Sequence, residues 1–264
     1  RVTVTEAEAG IFHVEFNRPE KMNALDLKTF EELAQTAQSL KDNKAVRVVV
    51  LSGKGKAFCT GLDIKSMLPD ISSSSKLLDK PAGTEHSNMA QDVAYLWRQL
   101  PAPVIASLHG MAFGGGLQIA LGADFRFSTP DCKLSVMEGK WGIIPDMSAA
   151  VTLRELVRID VAKELTMTAR IFPASEGHTL GLITRCVEDP LAESMALARE
   201  LTERSPDAVA AAKKLFQDTW VSPEKDCLNL ETSLQKKLLL SWNQVSKAGR
   251  NFGVTLPYAG KKDL

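Results

Sequence analysis

Apolar residues recur with two different spacings along the chain. In the first half, helical patterns separate short apolar runs, many of them β-branched. Ile11–Phe16 places Phe12, Val14 and Phe16 on one face, which is the period-2 pattern of a strand. Strands that alternate with helices predict an α/β fold, a sheet with substantial helical cover. The other predicted strands are Val46–Leu51, Val104–Leu108 and Phe125–Ser128, and the predicted helix of this half is Asp26–Leu40.

The second half has almost entirely helical spacing. Ser205 precedes Pro206, a pairing typical of an N-cap followed by the first helical residue. We therefore predict an α/β core over residues 1–190 and a C-terminal helical section over residues 191–264. A polar stretch, Pro69–Asn88, is predicted to be a surface loop. The predicted helices are Ala149–Thr168, Leu191–Thr202, Pro206–Thr219 and Glu224–Ala248.

Composition excludes several classes of protein. The 264 residues are 44% hydrophobic and carry zero formal net charge, so no bulk electrostatic attraction to nucleic acid is expected. No apolar run approaches the roughly 20 residues of a membrane span. The four cysteines form no CxxC pair, and no metal-ligand spacing occurs. A cytoplasmic location is expected, with an organelle matrix as the alternative if a transit peptide has been removed.

Two glycine-rich segments each follow a predicted strand. They are GKGKAFCTGLDIKSM (residues 53–67) and HGMAFGGGLQ (residues 109–118). A glycine triplet between a strand and a helix exposes backbone N–H groups at the positive end of that helix. Two such loops can each direct one N–H at a single oxygen, which is the geometry of an oxyanion hole. The alternative is that the glycines only permit close packing of helix and strand.

Two carboxylates lie eight residues apart in VMEGKWGIIPDMSA (residues 136–149). Glu138 has mainly apolar neighbours, and a carboxyl in such surroundings has a raised pKa suited to proton transfer near neutral pH. Asp146 precedes a predicted helix, so it is a candidate second acid or a plain N-cap.

Five ordered segments resemble the crotonase (enoyl-CoA hydratase/isomerase) superfamily. This resemblance implies a crotonase-like fold of repeated ββα units in two near-perpendicular sheets, followed by a C-terminal helical section. It also implies an acyl-CoA thioester substrate and a homotrimer or dimer of trimers. The segments are FNRPEKMNAL (Phe16–Leu25), GKAFCTGLDI (Gly55–Ile64), HGMAFGGG (His109–Gly116), GADFRFS (Gly122–Ser128) and EGKWGIIPD (Glu138–Asp146).

The resemblance also implies roles for individual residues. The backbone N–H groups of Leu62 and Gly115 would form the oxyanion hole, and Glu138 and Asp146 would be the catalytic acids. Coenzyme A would enter as part of the substrate, with no separate cofactor and no metal. The residues implied to contact the substrate or its coenzyme A portion are Arg18, Lys21, Lys56, Ala57, Cys59, Gly61 and Gln118.

Gln118 departs from the family pattern. Hydratases of the family carry a glutamate at this position as well as at Glu138, and an amide cannot ionise. Dienoyl-CoA isomerases of the family pair a glutamate with an aspartate eight residues later, as Glu138 and Asp146 are here, but they also carry an acid at position 118. We therefore favour an enoyl-CoA or dienoyl-CoA double-bond isomerase with Glu138 as the proton shuttle. The alternatives are an enoyl-CoA hydratase, a hydrolase or lyase acting on an acyl-CoA, and a non-catalytic acyl-CoA-binding module.

Overall fold

The chain begins with an antiparallel hairpin. A computed structural model describes residues 1–67, 77–80 and 87–263, and the hairpin consists of β1 (Val2–Glu8) and β2 (Ile11–Phe16). β2 coincides with the predicted strand. β1 escapes prediction because it is mostly exposed and has no continuous apolar face.

The hairpin forms one edge of a six-stranded sheet. The other strands of the described residues are β3 (Val48–Gly53), β4 (Val104–Leu108), β5 (Met111–Phe113), β6 (Phe125–Ser128), β7 (Lys133–Ser135), β8 (Phe172–Pro173) and β9 (Arg185–Cys186). The order of the large sheet is β1-β2-β3-β4-β6-β9, and all neighbours from β2 onwards are parallel. A second, three-stranded sheet has the order β5-β7-β8.

Helices cover the large sheet and make up most of the C-terminal part. Two short 3-10 helices, Pro19–Lys21 and Met137–Trp141, lie between the regular elements. In the described ranges the α-helices are α1 (Leu27–Asp42), α2 (Ile64–Met67), α3 (Met89–Gln99), α4 (Gly115–Leu121), α5 (Ala149–Leu156), α6 (Ile159–Thr168), α7 (Ala174–Leu180), α8 (Pro190–Thr202), α9 (Pro206–Thr219), α10 (Glu224–Leu238) and α11 (Trp242–Asn251).

Two predicted helices are wrong in length, because each is two helices. The prediction of one helix over Ala149–Thr168 fails at Val157, whose extended backbone (φ −136°, ψ 163°) separates α5 from α6. The prediction over Glu224–Ala248 fails near Leu240, where φ is +57°. Neither break has a proline or glycine in it, so the helical spacing runs through it. The predicted N-cap of α9 is confirmed, since the Ser205 hydroxyl accepts a bond from the Ala208 N–H at 3.4 Å.

The large sheet is covered on both faces. Val48 and Val50 of β3 pack towards α8 through Ala198, whereas Val49 and Leu51 belong to the larger core that includes Trp97 of α3. α8, the first helix of the predicted C-terminal section, therefore packs on the sheet. The division at residue 190 stays a prediction.

The fold brings both glycine-rich segments to one edge. β3 and β4 are parallel neighbours, and the two segments follow their carboxyl ends, where α/β sheets commonly form binding sites. Most of the predicted surface loop (69–76 and 81–86) lies outside the described residues. None of the helices in the described ranges is long and apolar enough to cross a membrane.

Candidate active site

Glu138 is a buried carboxylate with one partnered oxygen. It lies in the 3-10 helix after β7, and only 7% of the residue is exposed. Its Oε1 accepts a hydrogen bond from Gln118 Nε2 at 2.6 Å. Its Oε2 is buried and has no hydrogen-bond partner among the described residues. Burial raises the pKa of Glu138, and the nearby charge of Asp146 adds to that rise, whereas the Gln118 hydrogen bond opposes it.

Gln118 is held at both ends of its amide. It lies in α4, is 1% exposed, and its Oε1 accepts a bond from the Met147 N–H at 2.8 Å. Because Met147 can only donate through that N–H, the amide orientation is fixed and Nε2 faces Glu138. Gln118 thus connects α4, the Glu138 helix and the end of the segment that leads into α5.

The glycine triplet touches Glu138 and the first loop. Gly114 has φ +49°, and a Cβ on it would lie 3.1 Å from Glu138 Oε1. A Cβ on Gly115 would lie 2.6 Å from Met147 Sδ, and one on Gly116 would lie 2.3 Å from the Cys59 carbonyl oxygen. These glycines therefore permit close packing, as the alternative interpretation expects. The same close packing places the triplet directly against Glu138 and the first loop.

Two isolated parallel bridges hold the first loop, one to the second loop and one to the segment before α1. Cys59 pairs with Ala112, and Leu62 pairs with Leu25. A Cβ on Gly61 would lie 2.7 Å from the Phe113 carbonyl oxygen and 3.4 Å from the Gly115 nitrogen. Gly61, the residue before Leu62, thus packs against the backbone of Phe113 to Gly115 that leads into α4.

The Leu62 N–H is left available by its bridge. The Leu25 N–H donates to the Gly61 carbonyl at 2.8 Å, and the Asp63 N–H donates to the Leu25 carbonyl at 2.9 Å. In a parallel bridge these bonds leave the middle residue's own N–H directed to the other side. Within the described residues, the N–H groups of Leu62 and Gly115 donate to no protein oxygen. Two free N–H groups near a buried carboxylate fit an oxyanion hole with a base beside it.

Asp146 does not cap the following helix. The N-cap position of α5 is Ser148, and Asp146 stands before it as an exposed residue. Partial desolvation by the surrounding protein nevertheless raises the pKa of Asp146. The negative charge of Asp146 raises the pKa of Glu138. Asp146 is therefore not the N-cap of α5, whereas a role as the second acid is compatible with the structure.

Comparison with known proteins decides the family. The family model described as enoyl-CoA hydratase/isomerase matches residues 6–251.

The chain belongs to the enoyl-CoA hydratase/isomerase family. The predicted resemblance to the crotonase superfamily is confirmed. The chain is 32% identical to the mitochondrial Delta(3,5)-Delta(2,4)-dienoyl-CoA isomerase of Rattus norvegicus over 229 residues, which cover 80% of this chain and 67% of that protein. It is 28% identical to the enoyl-CoA hydratase EchA19 of Mycobacterium tuberculosis, covering 86% and 85%.

A solved structure confirms the predicted fold. The enoyl-CoA hydratase of Mycobacterium smegmatis superposes with a TM-score of 0.85 at 26% identity, covering 97% of each chain. The crotonase-like α/β fold is therefore that of this family member.

The cations predicted to meet coenzyme A lie in two different environments. Lys21 and Lys56 are exposed and form no ion pair in the described part of the chain. Arg18 is only 6% exposed, and its guanidinium faces Asp26 at 3.3 Å and Asp63 at 3.2 Å. This burial does not favour a contact between Arg18 and a phosphate, although that role stays a prediction.

The other predicted contact residues are largely engaged within the protein. The Ala57 carbonyl accepts a bond from Asn23 Nδ2 at 2.8 Å, and the backbone N–H and carbonyl of Cys59 both bond to the β5 segment. Burial raises the pKa of the Cys59 thiol to about 12, so the thiol is protonated at neutral pH. In the described residues, no group of three or more His, Cys, Asp or Glu side chains could hold a metal ion.

Sequence reasoning missed two members of the site. Met147 contributes a main-chain N–H, and no residue type signals a main-chain donor. Leu25 contributes the bridge to Leu62, and its only signal is its place at the end of the FNRPEKMNAL segment. Both act through backbone atoms, which composition and spacing do not reveal.

Proposed function

We propose that this family member is an acyl-CoA double-bond isomerase that acts on 3-enoyl-CoA or 3,5-dienoyl-CoA thioesters, with coenzyme A entering as part of the substrate. The observation that carries the proposal is the Gln118–Glu138 hydrogen bond of 2.6 Å. An amide that cannot ionise occupies one side of Glu138, so Oε2 is the oxygen of this carboxylate that is left free to take a proton. An isomerase needs one such group, because the proton it removes is the proton it returns.

The backbone amides stabilise the charge that develops during the reaction. The thioester carbonyl oxygen accepts hydrogen bonds from the Leu62 and Gly115 N–H groups. Each such donor contributes roughly 3–4 kcal/mol to transition-state stabilisation. This charge stabilisation makes the carbon next to the thioester acidic enough for a carboxylate base.

Glu138 carries the proton from one carbon to another. Its Oε2 removes a proton from C2 of a 3-enoyl thioester, and the C–H electron pair forms a C1–C2 double bond while the carbonyl oxygen becomes an oxyanion. When the carbonyl re-forms, those electrons return as the C2–C3 double bond, and the former C3–C4 π pair takes the proton from Glu138 at C4. The carboxylate is regenerated, and the product is a 2-enoyl thioester. The raised pKa of Glu138 favours it as both acceptor and donor of this proton.

Asp146 supports the dienoyl version of the reaction. In a 3,5-dienoyl thioester the proton returns at C6, which is farther from C2 than C4 is. Protonated Asp146 can donate a proton at C6 while Glu138 holds the proton taken from C2, and transfer of that proton from Glu138 to Asp146 then restores both carboxyls. The pKa of Asp146 is raised, and its carboxyl is close enough to act on the pKa of Glu138. Similarity to a dienoyl-CoA isomerase over 80% of the chain favours this substrate class.

Hydration of a 2-enoyl thioester is the second candidate. Glu138 and Asp146 could hold a water molecule between them, and the similarity to EchA19 favours this activity. Gln118 argues against it, because it cannot supply the second ionisable group at its own position.

Three thioesters separate these activities. The conjugated enoyl absorbance should rise with a 3-enoyl-CoA and shift with a 3,5-dienoyl-CoA if the protein is an isomerase. It should fall with a 2-enoyl-CoA if the protein is a hydratase. Efficient hydration of 2-enoyl-CoA with no reaction of either other substrate would refute the isomerase proposal, and no change with any substrate would favour a binding module.

Asp146→Asn distinguishes the two isomerase classes. A 3-enoyl isomerase should lose little activity, whereas a dienoyl isomerase should lose at least about 10-fold.

A cytoplasmic location remains our expectation, with an organelle matrix as the alternative.

A further inference from the structure

Arg18 contacts both sides of the bridge that presents the Leu62 N–H. Its Nη1 donates to the Ala24 carbonyl, and its Nη2 lies 3.3 Å from Asp26 Oδ2 and 3.2 Å from Asp63 Oδ2. Ala24 and Asp26 are the two neighbours of Leu25, and Asp63 is the neighbour of Leu62. One guanidinium therefore holds both strands of the Leu25–Leu62 bridge.

We propose that Arg18 is a positioning residue for the oxyanion hole, which it holds in place by fixing the Leu25–Leu62 bridge. The inference rests on the proposed function, because it assumes that the Leu62 N–H receives the thioester oxygen. Arg18 does not touch the substrate in this role. It acts through Asp63, Ala24 and Asp26.

The ion pairs of Arg18 with Asp26 and Asp63 are largely buried, which makes them costly to separate. The Asp26 and Asp63 side chains are 13% and 11% exposed, and the Arg18 side chain is 7% exposed. Water screens buried pairs poorly. Asp26 Oδ2 also pairs with Arg1 Nη2 at 2.9 Å, so of these two carboxylates it is Asp63 that removal of Arg18 would leave with an uncompensated buried charge. Movement of Leu62 away from Leu25 would have to separate Arg18 from Asp63.

Each carboxylate has a second bond that fixes its own element. Asp26 Oδ1 accepts from the Thr29 N–H at 2.9 Å and caps α1. Asp63 Oδ1 accepts from the Ser66 N–H at 3.3 Å at the start of α2. The Arg18 N–H donates to Asn23 Oδ1 at 2.9 Å, which closes the turn that carries the guanidinium. The loop that carries Leu62 is thereby tied to α1 on one side and α2 on the other.

The test compares Arg18→Lys with Arg98→Lys. Lysine keeps the charge but cannot reach three acceptors with one planar group. Arg98 is a matched control, because its guanidinium is also buried and bonds to Glu155 at 2.8 and 2.9 Å, away from the bridge. Arg18→Lys should lower kcat about 10- to 100-fold with KM changed less than about 3-fold. Arg98→Lys should leave kcat within about 3-fold of the unmodified value.

A spectroscopic measurement reports the oxyanion hole directly. Hydrogen bonds to the carbonyl polarise a conjugated thioester and move its absorption to longer wavelength. A 2,4-dienoyl-CoA bound to a Glu138→Gln protein should show this shift without turnover. Adding Arg18→Lys should remove at least half of the shift, and adding Arg98→Lys should preserve it.

A thioester without the nucleotide separates positioning from phosphate binding. With a pantetheine thioester, a positioning role gives the same fold-loss in kcat for Arg18→Lys as with the full coenzyme A ester. A raised KM with unchanged kcat, seen only with the coenzyme A ester, would overturn the proposal and restore the phosphate role. An equal loss in Arg98→Lys, or no loss in a folded Arg18→Lys, would also overturn it.

Asp63→Asn supplies a second variant with the same shape. It keeps an acceptor for the Ser66 N–H but replaces the charged acceptor that faces Arg18 with an amide NH2, so we expect about a 5-fold fall in kcat and a smaller absorption shift. Unchanged kcat and shift would contradict the proposal even if Arg18→Lys does not fold. If the unmodified protein gives neither turnover nor a shift, the proposed function itself has failed.

Discussion

Glu138 faces two opposing influences from its immediate neighbours. The Gln118 amide stabilises the ionised form through a short hydrogen bond, and burial together with the Asp146 charge destabilises it. The effect of burial is the larger one, so the pKa of Glu138 lies above its ordinary value of 4.5. A base in this state returns a proton more readily than a free carboxylate, which suits a shuttle.

Glu138→Gln should separate chemistry from binding. It retains the shape and the hydrogen-bonding capacity but cannot accept the proton, so kcat on the preferred substrate should fall at least about 100-fold. Affinity for the acyl-CoA should stay nearly unchanged. Glu193→Gln, at an exposed site on α8, is the matched control. Full activity in a folded Glu138→Gln protein would contradict the catalytic assignment.

The same variant should not lose stability at neutral pH. The folded pKa of Glu138 is raised, so the folded state binds the proton more tightly than the unfolded chain does. The ionised group therefore costs stability above the folded pKa, and this cost vanishes below the ordinary value. Thermal unfolding of Glu138→Gln should match or exceed that of the unmodified protein at pH 7, with the difference shrinking at acid pH.

The pH–rate profile should move in opposite directions in two variants. The base must be ionised, so kcat/KM falls on the acid side with the pKa of Glu138. Gln118→Met removes the hydrogen bond that stabilises ionised Glu138, so the acid side of the profile should shift to higher pH. Asp146→Asn removes the charge that raises the pKa and should shift it to lower pH. The measurement is kcat/KM on a 3-enoyl-CoA against pH, and shifts of the same sign would contradict the electrostatic account.

At the scale of elements, the start of α4 sets the spacing of the two loops. Gly116 faces the rigid Cys59 carbonyl, whereas Gly115 faces the flexible end of the Met147 side chain. The carbonyl cannot yield without movement of the first loop. The Met147 side chain can turn away, at the risk of disturbing the N–H that holds Gln118.

Alanine substitutions should therefore rank in a defined order. Gly116→Ala should cost about 1–3 kcal/mol of stability and most of the activity, because it pushes the loops apart. Gly115→Ala should cost less stability and a measurable part of kcat. Gly260→Ala is the control, since a Cβ there meets nothing within 4 Å. Activity and thermal unfolding of all three check the order, and equal effects at 115 and 116 would contradict it.

The sequence predicts the elements that carry a strong pattern. β2, β4, β6 and α9 have the predicted bounds, because apolar runs and capped amphipathic helices are recognisable from the order of their side chains. A second sheet is implied by the family resemblance alone, because the strands of the three-stranded sheet are two or three residues long, too short to show a period. The breaks at Val157 and Leu240 escaped prediction, since no residue type marks them.

The candidate site was predictable only in part. Glu138 and the two glycine-rich loops stood out by their chemistry. The burial of Arg18 did not, because its acid partners come from α1 and from the loop before α2, and only the fold brings these together. The same limit applies to the Gln118–Met147 bond, which depends on the path of the backbone.

At the scale of the whole molecule, a large apolar surface is left uncovered. Phe216 and Trp220 are 60% and 61% exposed, and their rings pack edge to face at 6.3 Å. They border an apolar groove of about 470 Å³ between α9 and the sheet, lined by Phe125, Leu156, Leu201 and Val209 among others. Large contiguous apolar patches on folded proteins generally mark interaction surfaces.

We expect this surface to be covered by further copies of the chain in a homotrimer or a dimer of trimers. Trp220→Glu places a charge in the apolar contact and should shift the assembly towards monomer, because burying an unpaired charge is costly. Val4→Glu, at another partly exposed apolar position on β1, is the control and should leave the assembly intact. Light scattering at micromolar concentration measures both. A monomeric unmodified protein would contradict the predicted assembly, and a trimer that persists in Trp220→Glu would move the interface to another face.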